Sequence, residues 1–154
     1  PSRGLGDVYK RQPVSTSVMK SVFLRNGGET DKTRIVVNNL LRYKVPFELT
    51  EEETIVVEYF ESVNEWAVIS NQKLVFSTLS GISRIPFTDL KWVVSDIEGK
   101  LSGVVTPKTE MRHLVLQLQN GDEKLLTTEV GPPFWSIYSM LQFVAQNQNS
   151  RKTI

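Results

Sequence analysis

The chain has no cysteine among its 154 residues. That excludes a disulfide framework, a thiol nucleophile and the zinc sites built on cysteine pairs, so packing must supply the stability. Histidine is scarce as well, His113 being the only one. With no second histidine and no acidic motif at ligand spacing, it offers neither a metal site nor a catalytic pair and reads as structural. Nowhere do about 18 apolar residues run together, so no helical membrane span is expected. Phosphate-cradling loops are missing, because Asn26-Gly27-Gly28 is not followed by Gly-Lys-Ser/Thr, and no Gly-x-Ser-x-Gly elbow activates a serine. The expectation is a protein that is not an enzyme, with no catalytic residues, no metal and no cofactor.

What is present fits one domain: 40% hydrophobic residues beside 23% charged ones is ordinary globular usage, and the length affords a core. Residues 1–12 (PSRGLGDVYKRQ) have no apolar periodicity and resemble a translated sequencing adapter of the kind found at the ends of assembled environmental reads. Within them Arg3, Lys10 and Arg11 against Asp7 contribute +2 of a formal net charge of +1, so residues 13–154 carry −1. A nucleic-acid partner is therefore not expected, since phosphate binding concentrates cations on one face. Met19 reads as an opening, which makes residues 1–18 an artefactual or disordered leader, 19–50 an N-terminal extension, 51–149 the main domain and 150–154 a tail. The apolar run Val22-Phe23-Leu24 stops at Arg25, too short for a signal peptide, so the expected address is cytoplasmic.

The extension is expected to hold a short helix over residues 33–43, where Val36, Val37, Leu40 and Leu41 share one helical face before Pro46 ends it. From Thr54 the pattern turns to β-type runs rich in Val, Ile, Phe, Tyr and Trp. Runs at residues 54–61, 65–70 and 73–79 with tight connections predict an antiparallel meander. Next comes a segment confined by Pro86 to an edge or bend, then alternation of Leu90, Trp92 and Val94. One short strand is expected within the loop 97–108. Residues 111–119, Asn120-Gly121 and 123–129 predict a hairpin with a type I′ turn. After Gly131-Pro132-Pro133, an amphipathic helix to about residue 147 presents Phe134, Ile137, Tyr138, Leu141, Val144 and Ala145 on one face.

About seven short strands followed by one C-terminal amphipathic helix resembles the pleckstrin-homology-like fold, most clearly over residues 51–148. The sequence looks most like bacterial members, in which a hairpin such as residues 65–79 precedes a strand of the Ile85-Pro86-Phe87 type leading to Leu90. The resemblance implies a mainly β fold, a small barrel of about seven antiparallel strands capped by the helix. It also implies a partner-binding surface. Eukaryotic relatives bind phosphoinositides through a basic cluster between the first two strands; here that connection, residues 61–65, carries Glu61 and Glu65 and no cation.

Other candidates have plainer readings. Glu51, Glu52 and Glu53 point in different directions at a strand entry and read as solvated. Trp66 and Trp92 are expected in the core and Trp135 at the surface. The expected binding loop is the stretch where Leu101, Val104 and Val105 lie in a glycine-containing loop between Lys100 and Lys108. Together these features predict a non-catalytic binding or scaffold module for a protein or peptide partner. The alternative is a peripheral membrane-surface domain that inserts the Leu101 loop, with an enzyme of unrecognised type in third place.

Overall fold

The β-type runs pair into two antiparallel sheets, each a separate ladder. The computed structural model describes residues 14–152, with side chains to residue 149. The adapter-like residues 1–12 lie outside them. The first sheet is the meander β1 (Thr33–Ile35), β2 (Ile55–Ser62), β3 (Glu65–Ser70), β4 (Lys73–Thr78) and β5 (Gly81–Pro86), in that order. A 3-10 turn at Phe87–Asp89 then leads into the second, β6 (Leu90–Ser95), β7 (His113–Leu118) and β8 (Glu123–Thr127). Two helices complete the chain, α1 (Thr16–Leu24) and α2 (Pro132–Lys152). Among the described residues no helix is long and apolar enough to cross a membrane.

Side chains of both sheets meet in one core that α2 covers, with Phe134, Ile137, Met140, Leu141, Val144 and Ala145 fully buried. Helical periodicity put five of these on the packing face. Trp135, expected at the surface, is half-buried, edge-on to Phe134 at 4.8 Å and stacked on Tyr138 at 5.9 Å. The helix also runs past its apolar pattern, to Lys152.

The short N-terminal helix exists, but at Thr16–Leu24 rather than residues 33–43. Ser15 caps it through Val18 N, and Met19, Val22 and Phe23, at i, i+3 and i+4, pack into the main core. Gly28 then passes so close to α2 that a Cβ there would sit 2.2 Å from Ser136 Oγ. In the 33–43 stretch, β-branched Thr33, Ile35 and Val36 pair with β2 instead, Val36 N donating to Val56 O at 2.9 Å. Asn38 and Asn39 follow at φ 56° and 57°, left-handed conformations that end regular structure. Asn39 bridges its neighbours, its Oδ1 accepting from Ile55 N at 2.8 Å and its Nδ2 donating to Glu53 O at 3.3 Å.

This segment continues as a strap over the outer face of the first sheet. Leu41, Val45 and Phe47 cover a second core of Val36, Ile55, Trp66, Val68 and Val75. Burial on both faces explains why β2 to β4 read as nearly continuous apolar runs. The buried Glu58 carboxylate ties the strap down, accepting from Arg34 Nε at 2.8 Å and Arg42 N at 3.0 Å.

Three more expectations change. Glu53 is 4% exposed, not solvated: its carboxylate accepts from Thr50 N at 3.0 Å, from Ser70 Oγ and from Lys73 Nζ at 3.2 Å. Glu52 at φ 69° turns the chain so that Glu53 faces inward. In β6 an extra residue between Leu90 and Trp92 breaks the alternation, so Leu90 and Val93 fill the core while Trp92 and Val94 are half-buried. Residues 97–107 form no strand. Asp96 organises them as a loop, accepting from Leu101 N at 3.2 Å and Ser102 N at 2.7 Å, and a 3-10 turn follows at Lys108–Glu110.

Candidate functional site

The loop singled out from its composition is exposed at its apolar positions, Leu101 at 43%, Val104 at 60% and Val105 at 78%. Lys100 pairs with Glu98 at 3.5 Å in full solvent and Lys108 is exposed. Leu101 and Lys100, with Ile97, border a groove of about 290 Å³ whose floor is Val94 and Val115. Val104, Val105 and Lys108 are not part of that groove. The structure therefore does not gather the five residues into one site.

A larger concavity, about 520 Å³, opens between the two sheets. The hairpin of β4 and β5 forms one wall through Ser77, Leu79 and Ser83, and β8 forms the other through Lys124, Leu125 and Thr127. Phe76 lies at its apolar base and Glu65, Arg112 and His113 at one end. Glu65 was visible only as a carboxylate in a turn, whereas here Arg112 Nη2 donates to its Oε2 at 2.6 Å and the Tyr59 hydroxyl donates to the same atom. Burial first, then the bond to Glu65, raises the Tyr59 pKa far above a normal phenol, so it acts as a fixed donor. Glu61, the other carboxylate of the turn, is paired with Lys32 at 2.6 Å.

His113 stands on the outer side of its strand, opposite the buried Leu114 and Leu116, as its alternation predicts. Its Nδ1 lies 3.1 Å from Thr127 Oγ1, the residue directly across the ladder. Burial, reinforced by the Arg112 charge, pushes its pKa down and favours the neutral ring. Among the described residues no carboxylate hydrogen-bonds that ring, and no cluster of three or more His, Asp or Glu side chains is placed to hold a metal.

The backbone of β8 is the other notable feature of the cleft. Leu118 N donates to Asp122 O and Thr128 N to Arg112 O, which fixes the alternation of the β7–β8 ladder. Lys124 and Leu126 therefore bond inward to β7, while the N–H and C=O of Glu123, Leu125 and Thr127 point away from it. Among the described residues no further strand lies on that side. Beyond Thr127 the edge is covered, because Glu129 Oε1 accepts from Thr30 Oγ1 at 2.6 Å and Thr33 Oγ1 at 2.8 Å.

The cleft was not foreseen because its members come from four separated stretches of chain. One signal was present: a strand that leaves a tight hairpin and runs straight into Gly131-Pro132-Pro133 is an edge unless an earlier strand returns to it. Comparison with family models, curated proteins and solved structures found no match for this chain.

Proposed function

We propose that the chain is a non-catalytic binding module, pleckstrin-homology-like in architecture, that engages a protein or peptide partner in the cleft between its sheets. The succession of β2 to β5, β6 to β8 and α2 supports the architecture, with β1 as an additional edge strand. In this reading the two ladders make a partly open barrel, and the cleft is the opening.

The cleft itself carries the functional reading. Its volume lies in the range of ligand-binding pockets, and it combines an apolar base with a few fixed polar groups. Those groups are committed to holding structure: Glu65 to Tyr59 and Arg112, His113 to Thr127. A histidine and hydroxyl without an orienting third group lack the triad logic of acyl-transfer sites, which favours binding over catalysis. Selection of a random linear peptide library on the full chain tests the proposal. It predicts enriched peptides whose binding is weakened by Leu79→Asp at the cleft rim and unaffected by Leu101→Asp; no enrichment contradicts it.

The exposure of Leu101, Val104 and Val105 favours one second reading, a loop that inserts into an anionic membrane surface. Sedimentation with phosphatidylserine-containing vesicles, lost in Leu101→Asp/Val104→Asp, would support it. A cytoplasmic address belongs to the first proposal and rests on the sequence pattern.

A further inference from the structure

The open side of β8 says more about the occupant than that it is a peptide. We infer that the cleft takes a single extended segment, added to the edge of β8 as a further strand, with an acidic side chain turned toward Lys124 and Arg112. The inference rests on the binding reading above and specifies how that site is filled.

Three observations carry it. First, Glu123, Leu125 and Thr127 present alternating N–H and C=O groups away from β7, and among the described residues no hydrogen bond reaches them from that side. Unpaired ladder groups along a sheet edge are the template for strand addition, in which main-chain bonds give affinity and alternate side chains give selectivity. Because Glu129 is already held by Thr30 and Thr33, the usable edge is short and ends at Thr127.

Second, the space in front of that edge is bounded. Across the cleft stand Ser77, Leu79 and Ser83 of the β4–β5 hairpin. A second copy of the chain pairing β8 to β8 would bring its whole three-stranded sheet into a space of about 520 Å³. A single strand, about 4.8 Å from its neighbour in the hydrogen-bonding direction, demands far less room than that sheet.

Third, the charges facing the gap on the core side are Arg112, the Glu65 carboxylate it pairs with, and Lys124, which leaves one cation in excess. Lys124 forms no ion pair among the described residues. Among the described residues Arg112 gives one bond to Glu65, and its buried Nε–H has no partner. On the opposite side of the strand, Glu123 accepts among the described residues from Gln117 Nε2, at 3.5 Å. A strand in the gap turns alternate side chains to these two sides, so a carboxylate is matched on the side of Lys124 and Arg112 and repelled on that of Glu123.

The probe is the strongest peptide from the library selection, measured against the full chain by calorimetry. Leu125→Pro removes an outward N–H that β7 does not use, so the β7–β8 ladder survives and binding weakens about tenfold, the worth of one backbone bond. Leu125→Val, which keeps the N–H, binds like the wild type. Lys124→Glu, at an exposed position, weakens binding of acidic peptides and leaves the thermal midpoint in place. N-methylation at alternate peptide positions abolishes binding, and amide exchange at Glu123, Leu125 and Thr127 slows in the complex. A peptide that binds Leu125→Pro and its own N-methylated form undiminished overturns strand addition while leaving the binding reading intact. A library that yields no binder overturns both.

Discussion

Glu53 shows how a residue's role escapes local pattern. Three consecutive glutamates look solvated, yet the third is inside because Glu52 adopts φ 69° and because Ser70 and Lys73 arrive from a turn 17 and 20 residues away. Burial alone would raise its pKa; the hydrogen bonds from Ser70, Thr50 and Lys73 outweigh that and hold it below the ordinary carboxylate value. Glu53→Ala should lower stability by about 3 kcal/mol, read as a drop in the urea midpoint with unchanged slope, because Lys73 and Ser70 lose their partner. His113 sets the pH response at a higher range. Its folded pKa is depressed, so the unfolded chain takes up a proton first as pH falls below 6.5. Stability from the neutral ring is therefore full above 6.5 and declines below it, and Glu53 adds a second loss once pH falls through its own lowered folded value. Urea unfolding at pH 7.5 and 5.5 should show the first decline in the wild type and a flattened one in His113→Gln. His113 was legible on its outer strand face; its Thr127 partner followed only from the hairpin register.

At the scale of elements, legibility followed periodicity. The C-terminal helix was clear because its apolar residues recur with the helical repeat over three turns, and the 120–121 hairpin because Asn-Gly marks a turn, although it is not the expected type I′: Gly121 takes positive φ, at 94°, and Asn120 does not. The 33–43 stretch was ambiguous: Val36, Val37, Leu40 and Leu41 fit a helical face, but β-branched side chains beside a free edge of β2 settled it as strand and strap. The α1 helix is not legible in the sequence, because its apolar positions Met19, Val22 and Phe23 form too short a pattern to stand out. Since Phe23 is fully buried, Phe23→Ala should cost about 3–5 kcal/mol by chemical denaturation, whereas Leu24→Ala on the exposed side should change little. Gly28→Ala, forced against Ser136, should destabilise the α1–α2 contact and lower the thermal midpoint.

For the whole molecule, the mainly β architecture with a terminal helix was readable because each strand's pattern is local. The division into separate ladders and the cleft between them was not, since these depend on where β8 comes to rest relative to the β4–β5 hairpin, a relation between stretches about 45 residues apart. The same holds for the neutralisation of Glu65 by Arg112, 47 residues on. Functionally this matters because the composition drew attention to the Leu101 loop, while the concavity with a built interior lies between the sheets. The most direct test is an amide chemical-shift map of the isotope-labelled chain titrated with a library-selected peptide. The account predicts perturbations concentrated at Ser77, Leu79, His113, Leu125 and Thr127; perturbations centred on Leu101, Val104 and Val105, with those five signals unmoved, would contradict it.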